Sequence, residues 1–278
     1  MRYLKEVFAA RELLGNLVSR EVKGKYSRTI FGQLWSLVNP LALMLIYTFV
    51  FGLIFRSHPA AGDPSGLDVF ALWLLCGLLP WIFFSTVVTT GAGSLVANAG
   101  LIQKVYFTRI VLPLSVVGSA AYNWLFEMFV LVVALSIAGA FVLPWLPLLL
   151  VVMLLLAVFS AGFALMLAVA NVYFRDTQWF LSIALQIGMY LTPIIYPVSL
   201  VEKASKDVGS LAGTPFALID IYRLNPMDHF VTVFRQVLYD NRLPDGLEML
   251  ICLAWAVGSA ALGVLVFRRN ERNLAEAL

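Results

Sequence analysis

Charge is scarce in this chain. Asp, Glu, Lys and Arg make up 13% of its 278 residues, about half of the ~25% usual in a soluble domain. Cysteine and histidine are rarer still. Cys76 and Cys252 both lie inside apolar runs, so they read as small packing residues and exclude a disulfide framework or a CxxC metal site. His58 and His229 lie far apart and outside the apolar blocks, and they read as surface or interface residues. No G-x-x-x-x-G-K-[ST] loop is present, so the chain does not bind ATP by that route. A G-x-S-x-G elbow and an H-E-x-x-H helix are also missing. The net charge of +3 is too small, and its basic residues too little interleaved with aromatics, for a nucleic-acid binder. The first 32 residues hold no sustained apolar core, so no cleavable signal peptide is expected.

What the chain has instead is hydrophobic residues, at 61%, gathered into long blocks. A spanning helix needs about 20 mostly apolar residues, and six segments qualify: about 34–55, 69–91, 110–138, 145–171, 179–197 and 247–267. In hydrocarbon every backbone donor and acceptor must pair within its own segment, and the alternating segments of a barrel do not occur. The expected fold is therefore an all-α integral membrane protein, a bundle of six transmembrane helices. Basic residues set its orientation. They concentrate in the N-terminal segment (Arg2, Lys5, Arg11, Arg20, Lys23, Lys25, Arg28), the second loop (Lys104, Arg109), Arg175, and the tail (Arg268, Arg269, Arg272). Both termini are thereby expected in the cytoplasm of a cell-membrane protein. The division is a cytoplasmic interfacial segment over 1–32, a six-helix transmembrane core over 33–267, and a cytoplasmic tail over 268–278.

Apolar Leu4, Val7, Phe8 and Leu14 recur at helical spacing against Arg2, Lys5, Arg11 and Glu12. That pattern suits an amphipathic helix over Tyr3–Leu17 on the inner leaflet, serving as an anchor or more. The segment 198–246 is too polar to span, yet rich in aromatics and broken by prolines, which fits short re-entrant or interfacial helices on the outer side. Glu127 is the one acid in the middle of a span, with Asn123 one turn away. Such a carboxylate faces either an aqueous path or a neighbouring helix that hydrogen-bonds it. Aromatics form stripes: Tyr47, Phe51 and Phe55; Tyr122, Phe126 and Phe129; and Trp81, Phe83 and Phe84 after Pro80. They read as helix packing and interfacial belts, or as a lining for an amphipathic substrate.

Four stretches carry a resemblance. They are Arg20–Tyr26 with Gly32-Gln33-Leu34-Trp35 and Asn39-Pro40; Asn98-Ala99-Gly100-Leu101-Ile102-Gln103-Lys104; Asn171-Val172-Tyr173-Phe174-Arg175-Asp176; and Leu191-Thr192-Pro193-Ile194-Ile195-Tyr196-Pro197 with Leu224-Asn225-Pro226. In this order and at these depths they resemble the permease subunits of type-2 ABC exporters that move lipid-linked polysaccharides such as O-antigen, capsule and teichoic acid.

The resemblance implies no catalytic residue and no cofactor in this chain, with ATP and Mg held by a separate ATPase. It implies a homodimer with two ATPase copies, moving an undecaprenyl-pyrophosphate-linked glycan from inner to outer leaflet. Coupling to the ATPase falls to Asn98, Leu101, Ile102, Lys104, Arg175 and Asp176. Uptake of the headgroup falls to Arg20, Lys23, Lys25, Tyr26 and Arg28. Trp35, Tyr47, Phe51, Phe55, Trp81, Phe84, Tyr122 and Phe126 are expected to line the path, and 198–246 to form an outer gate. The segment Leu75–Phe84 favours teichoic acid, with O-antigen next. The alternatives are a stand-alone secondary carrier or channel, and a membrane-embedded glycosyltransferase.

Overall fold

The computed structural model describes residues 10–27, 29–54, 61–105, 107–208, 217–271 and 273–277, and the regular elements among them are helices, with no β-strand. Five helical stretches are long and apolar enough to cross a bilayer: Gly32–Ile54, Phe70–Ala97, Val111–Ile137, Leu143–Tyr173 and Gly246–Asn270. They coincide with five of the six expected spans. The sixth, Thr177–Leu191, has 15 helical residues, so it reaches about 22 Å, short of the ~30 Å of hydrocarbon. Its helix stops at Thr192 because Pro193 follows: proline bars the α conformation from the residue before it.

The helices are α1 (Arg11–Tyr26), α2 (Trp35–Tyr47, extended by a π-helical stretch Thr48–Ile54), α3 (Phe70–Ala97), α4 (Ala99–Lys104), α5 (Val111–Ile137), α6 (Leu146–Tyr173), α7 (Thr177–Leu191), α8 (Val198–Val208), α9 (Leu218–Arg223), α10 (Pro226–Arg235, with a π-helical turn Gln236–Asp240), α11 (Gly246–Asn270) and α12 (Leu274–Ala277). Local chemistry sets several ends. Asn225 caps α10, its Oδ1 accepting from Met227 N at 3.0 Å, with Pro226 at the first helical position. The π-helical turn after α10 ends at Asn241, left-handed at φ 57°.

The core is built on α6, which packs between α3 and α11. Small residues let the backbones touch. A Cβ at Gly162 would lie 2.3 Å from the Ser259 carbonyl carbon, and one at Gly263 would lie 2.5 Å from Gly162 O. Ser259 Oγ donates across the same seam to Phe159 O at 3.2 Å. Such close approach is how helices associate where lipid supplies no hydrophobic drive between them. Asn171 fastens α6 to α3, donating to Ala92 O at 3.0 Å. Helix α10 enters this core: Phe230, Val231, Val233 and Phe234 are fully buried against α3, α6 and α11.

Of the N-terminal segment, the described part is helical over Arg11–Tyr26 and incorporates the basic cluster; Leu4, Val7 and Phe8 of the helix expected over Tyr3–Leu17 lie outside the described residues. This helix is not merely laid on a lipid surface. Leu17 is buried, and Glu21 accepts from Ser115 Oγ at 3.0 Å and Ser119 Oγ at 2.9 Å, so α1 is hydrogen-bonded to α5.

Candidate functional site

Helix α3 is apolar along most of its length, but Thr86, Thr89, Thr90 and Gly93 recur at i, i+3, i+4 and i+7 and therefore share one face. That face borders two cavities. One, of about 420 Å³, lies among α1, α2, α3 and α5, and takes in Lys25, Ser36, Asn39, Thr86, Asn123 and Glu127. The other, of about 400 Å³, takes in Glu21, Thr89, Thr90, Gly93, Asn98 and Gln178. Glu21 and Lys25 are one turn apart on α1, as Thr86 and Thr90 are on α3, so the cavities follow one another along a polar trough. Gly93 is bare for a reason: a Cβ there would meet Gln178 Nε2 at 2.9 Å, so the amide of α7 reaches over the α3 backbone.

Glu127 is in the trough. It is 7% exposed and lines the larger cavity together with Asn123, whose amide donates to Ser119 O at 3.2 Å. Of the residues read as headgroup contacts, Arg20, Lys23 and Lys25 are exposed on α1, with Lys25 at the cavity. Arg28 and the Tyr26 side chain lie outside the described residues. Arg20 Nη2 donates to Asn98 Oδ1 at 3.1 Å, which links α1 to the start of α4.

Most of the aromatics expected to line the path lie in or against the core. Trp81 and Phe84 are buried in the core, where Phe84 stacks on Phe159 at 5.5 Å between centroids. Tyr47 and Phe51 are partly buried, packed against that core, and Phe126 is half-buried; Phe55 lies outside the described residues. Tyr122 is exposed away from the trough, and only Trp35 borders it. Rings go where the neighbouring helix covers them: α6 covers Phe84 through Phe159 and Phe163, and Trp81 reaches Gly188 of α7.

The coupling residues divide. Ile102 is 5% exposed and packs with Leu95, Ile110, Val172 and Phe267, with Leu101 half-buried beside it, so neither forms an outward knob. The outward face of α4 is Gly100, Gln103 and Lys104. Arg175 and Asp176 are exposed between α6 and α7.

Arg235 has a role that the sequence reading missed. It is 8% exposed, donates from Nη1 to Pro193 O at 2.6 Å and from Nη2 to Ile194 O at 2.7 Å, and stands 3.5 Å over the Trp73 ring. These are the carbonyls that the break after α7 leaves without helical partners. The guanidinium thus ties α10 to the end of α7 and to α3. A cation inside the apolar run Phe230–Tyr239 was the available signal. His229, read as an ordinary interface residue, is 6% exposed, with Nδ1 2.5 Å from Glu248 and Nε2 2.8 Å from Arg223 O.

Membrane-crossing helices packed around a polar trough define a membrane transport subunit. The chain belongs to the ABC-2 type transporter family, which residues 12–239 match. It is 31% identical over its whole length to the O-antigen export system permease protein RfbA of Myxococcus xanthus, all of which is covered. It is also 31% identical to the permease of that name from Klebsiella pneumoniae, over 96% of this chain and 95% of that one. Its identity to the polysialic acid transport protein KpsM of Escherichia coli is 25%, over 93% of each chain. This is the non-catalytic membrane subunit of a polysaccharide exporter, and the ATPase is a separate protein.

Proposed function

We propose that this chain exports a lipid-linked polysaccharide of the O-antigen class, as a homodimer served by two ATPase copies, with both termini cytoplasmic. The relatives support the O-antigen reading, since they are named for O-antigen and polysialic acid. The observation that carries the reading is the trough: hydroxyls, amides and a carboxylate on a face inside the spans suit a hydrated glycan, whereas a lipid alone calls for an apolar wall. The positive-inside distribution supports the orientation. The faces of α2 and α7 that this chain leaves uncovered support a second copy.

In this mechanism ATP binding by the partner pushes on the outward face of α4. The Arg20–Asn98 bond passes the displacement to α1, and Glu21 passes it on to α5, so the walls of the trough move together. The lipid diphosphate approaches Arg20, Lys23 and Lys25. The push is effective only because ATP binds the two states of the ATPase pair with different affinity. The test is a strain lacking this chain, complemented with the wild type or with Lys104→Glu. The deletion is expected to remove polysaccharide from the cell surface and accumulate it inside. Lys104→Glu is expected to insert normally but recover less ATPase on purification. Undiminished surface polysaccharide in the deletion strain would sink the export reading.

A further inference from the structure

The larger cavity holds a carboxylate, and its chemistry narrows what occupies it. Glu127 shares the wall with the amides of Asn39 and Asn123, and the rings of Trp35, Phe83 and Trp124 border the same space. The cations are arranged differently. Arg20 and Lys23 are exposed along α1, and Lys25 is the basic residue at the cavity itself. A diphosphate therefore finds its counter-charges along α1, and a carboxylate repels it from the interior. The group just beyond the phosphates is the one that enters. It has to donate hydrogen bonds to a carboxylate, exchange hydrogen bonds with two amides and lay an apolar face on rings. A sugar does all three. The volume of about 420 Å³ falls within the 300–1,000 Å³ of small-molecule pockets.

We infer that the α1–α2–α3–α5 cavity is a recognition site for the sugar ring nearest the lipid diphosphate, with Glu127 accepting hydrogen bonds from its hydroxyls. The inference rests on the export reading and goes further, since it assigns selection of the first sugar to this chain.

The test uses the intact permease–ATPase complex in nanodiscs and two probes: lipid-linked glycan extracted from the producing cells, and the same lipid diphosphate without sugar. Thr86→Cys and, separately, Ile82→Cys, both at the cavity wall, report on the cavity through maleimide labelling, since the native Cys76 and Cys252 are fully buried. The sugar-bearing lipid is expected to slow labelling at one reporter or both, and the sugar-free lipid to leave it unchanged. Adding Glu127→Gln is expected to raise the half-protecting concentration about tenfold, because it replaces a charge-assisted acceptor with a neutral one. Equal protection by the two lipids, no protection at either reporter, or protection indifferent to Glu127→Gln would each overturn the sugar site. None of these outcomes touches the export reading, which falls only if the strain lacking this chain displays its polysaccharide normally.

Discussion

At the scale of single residues, the far end of the bundle depends on Arg235. Arg235→Met would leave the Pro193 and Ile194 carbonyls without donors, at a cost of about 2–4 kcal/mol. A lower melting temperature in detergent is expected, with Arg235→Lys in between, because an ammonium lacks the planar fork that spans two carbonyls. A melting curve unchanged by Arg235→Met would show that the bond carries no weight. Asp228, in the first turn of α10 and outside the spans, gives a pH dependence. Burial pushes its carboxyl up to about 6 from 3.8, with Glu248 adding to the shift against the opposing charges of His229, Arg235 and Arg223. Between about pH 4 and 6 the folded protein holds a proton that the unfolded chain has released. Stability therefore falls as pH rises through that window and levels off above it. Asp228→Asn is expected to abolish this slope and to gain on the order of 2–3 kcal/mol near pH 7. Equal slopes for the two proteins would contradict the assignment.

At the scale of elements, the seam between α6 and α11 is the least forgiving contact. Gly162→Leu would drive a side chain into the Ser259 backbone, and because backbone cannot swing aside the cost is expected to exceed about 3 kcal/mol. Gly258→Leu, on α11 next to Ser259 but with open space around it, is the control and is expected to accumulate at wild-type levels. Accumulation of both would refute the close contact. Elements were also what the sequence made most legible. Long apolar blocks announce spans because the bilayer fixes their length, and Pro193 and Pro226 announce breaks because proline constrains its own φ and the residue before it. The partners of a side chain were less legible. Trp81 and Phe84 have the spacing of a lining, yet α7 meets the first and α6 covers the second, facts held by residues 75 or more positions away. The threonine face of α3 was readable as a helical repeat of hydroxyls, but the brighter aromatic pattern drew the reading away from it.

At the scale of the whole molecule, α2 is the loosest member, with Pro40 its only buried residue, and the exposed rings Trp179, Phe180 and Tyr190 stud α7. A homodimer that joins through these helices would close the open side of the trough. Purified in detergent, the protein is expected to have the mass of two chains by light scattering, and Val38→Cys, on the uncovered face of α2, to cross-link to its counterpart. A monomer that still supports export in reconstituted vesicles would defeat that arrangement.

The tie at Arg235 also has a consequence for descent. Gly77 has no side chain where a Cβ would stand 3.0 Å from Arg235 Nη2 and 3.1 Å from Val231 Cγ1. Positions 77, 231 and 235 are therefore expected to vary together, although two of them are separated from the first by more than half the chain. With the arginine in place, any side chain at 77 obliges Arg235 or Val231 to give way by a few tenths of an ångström, and a slimmer residue at 235 frees the notch to be refilled.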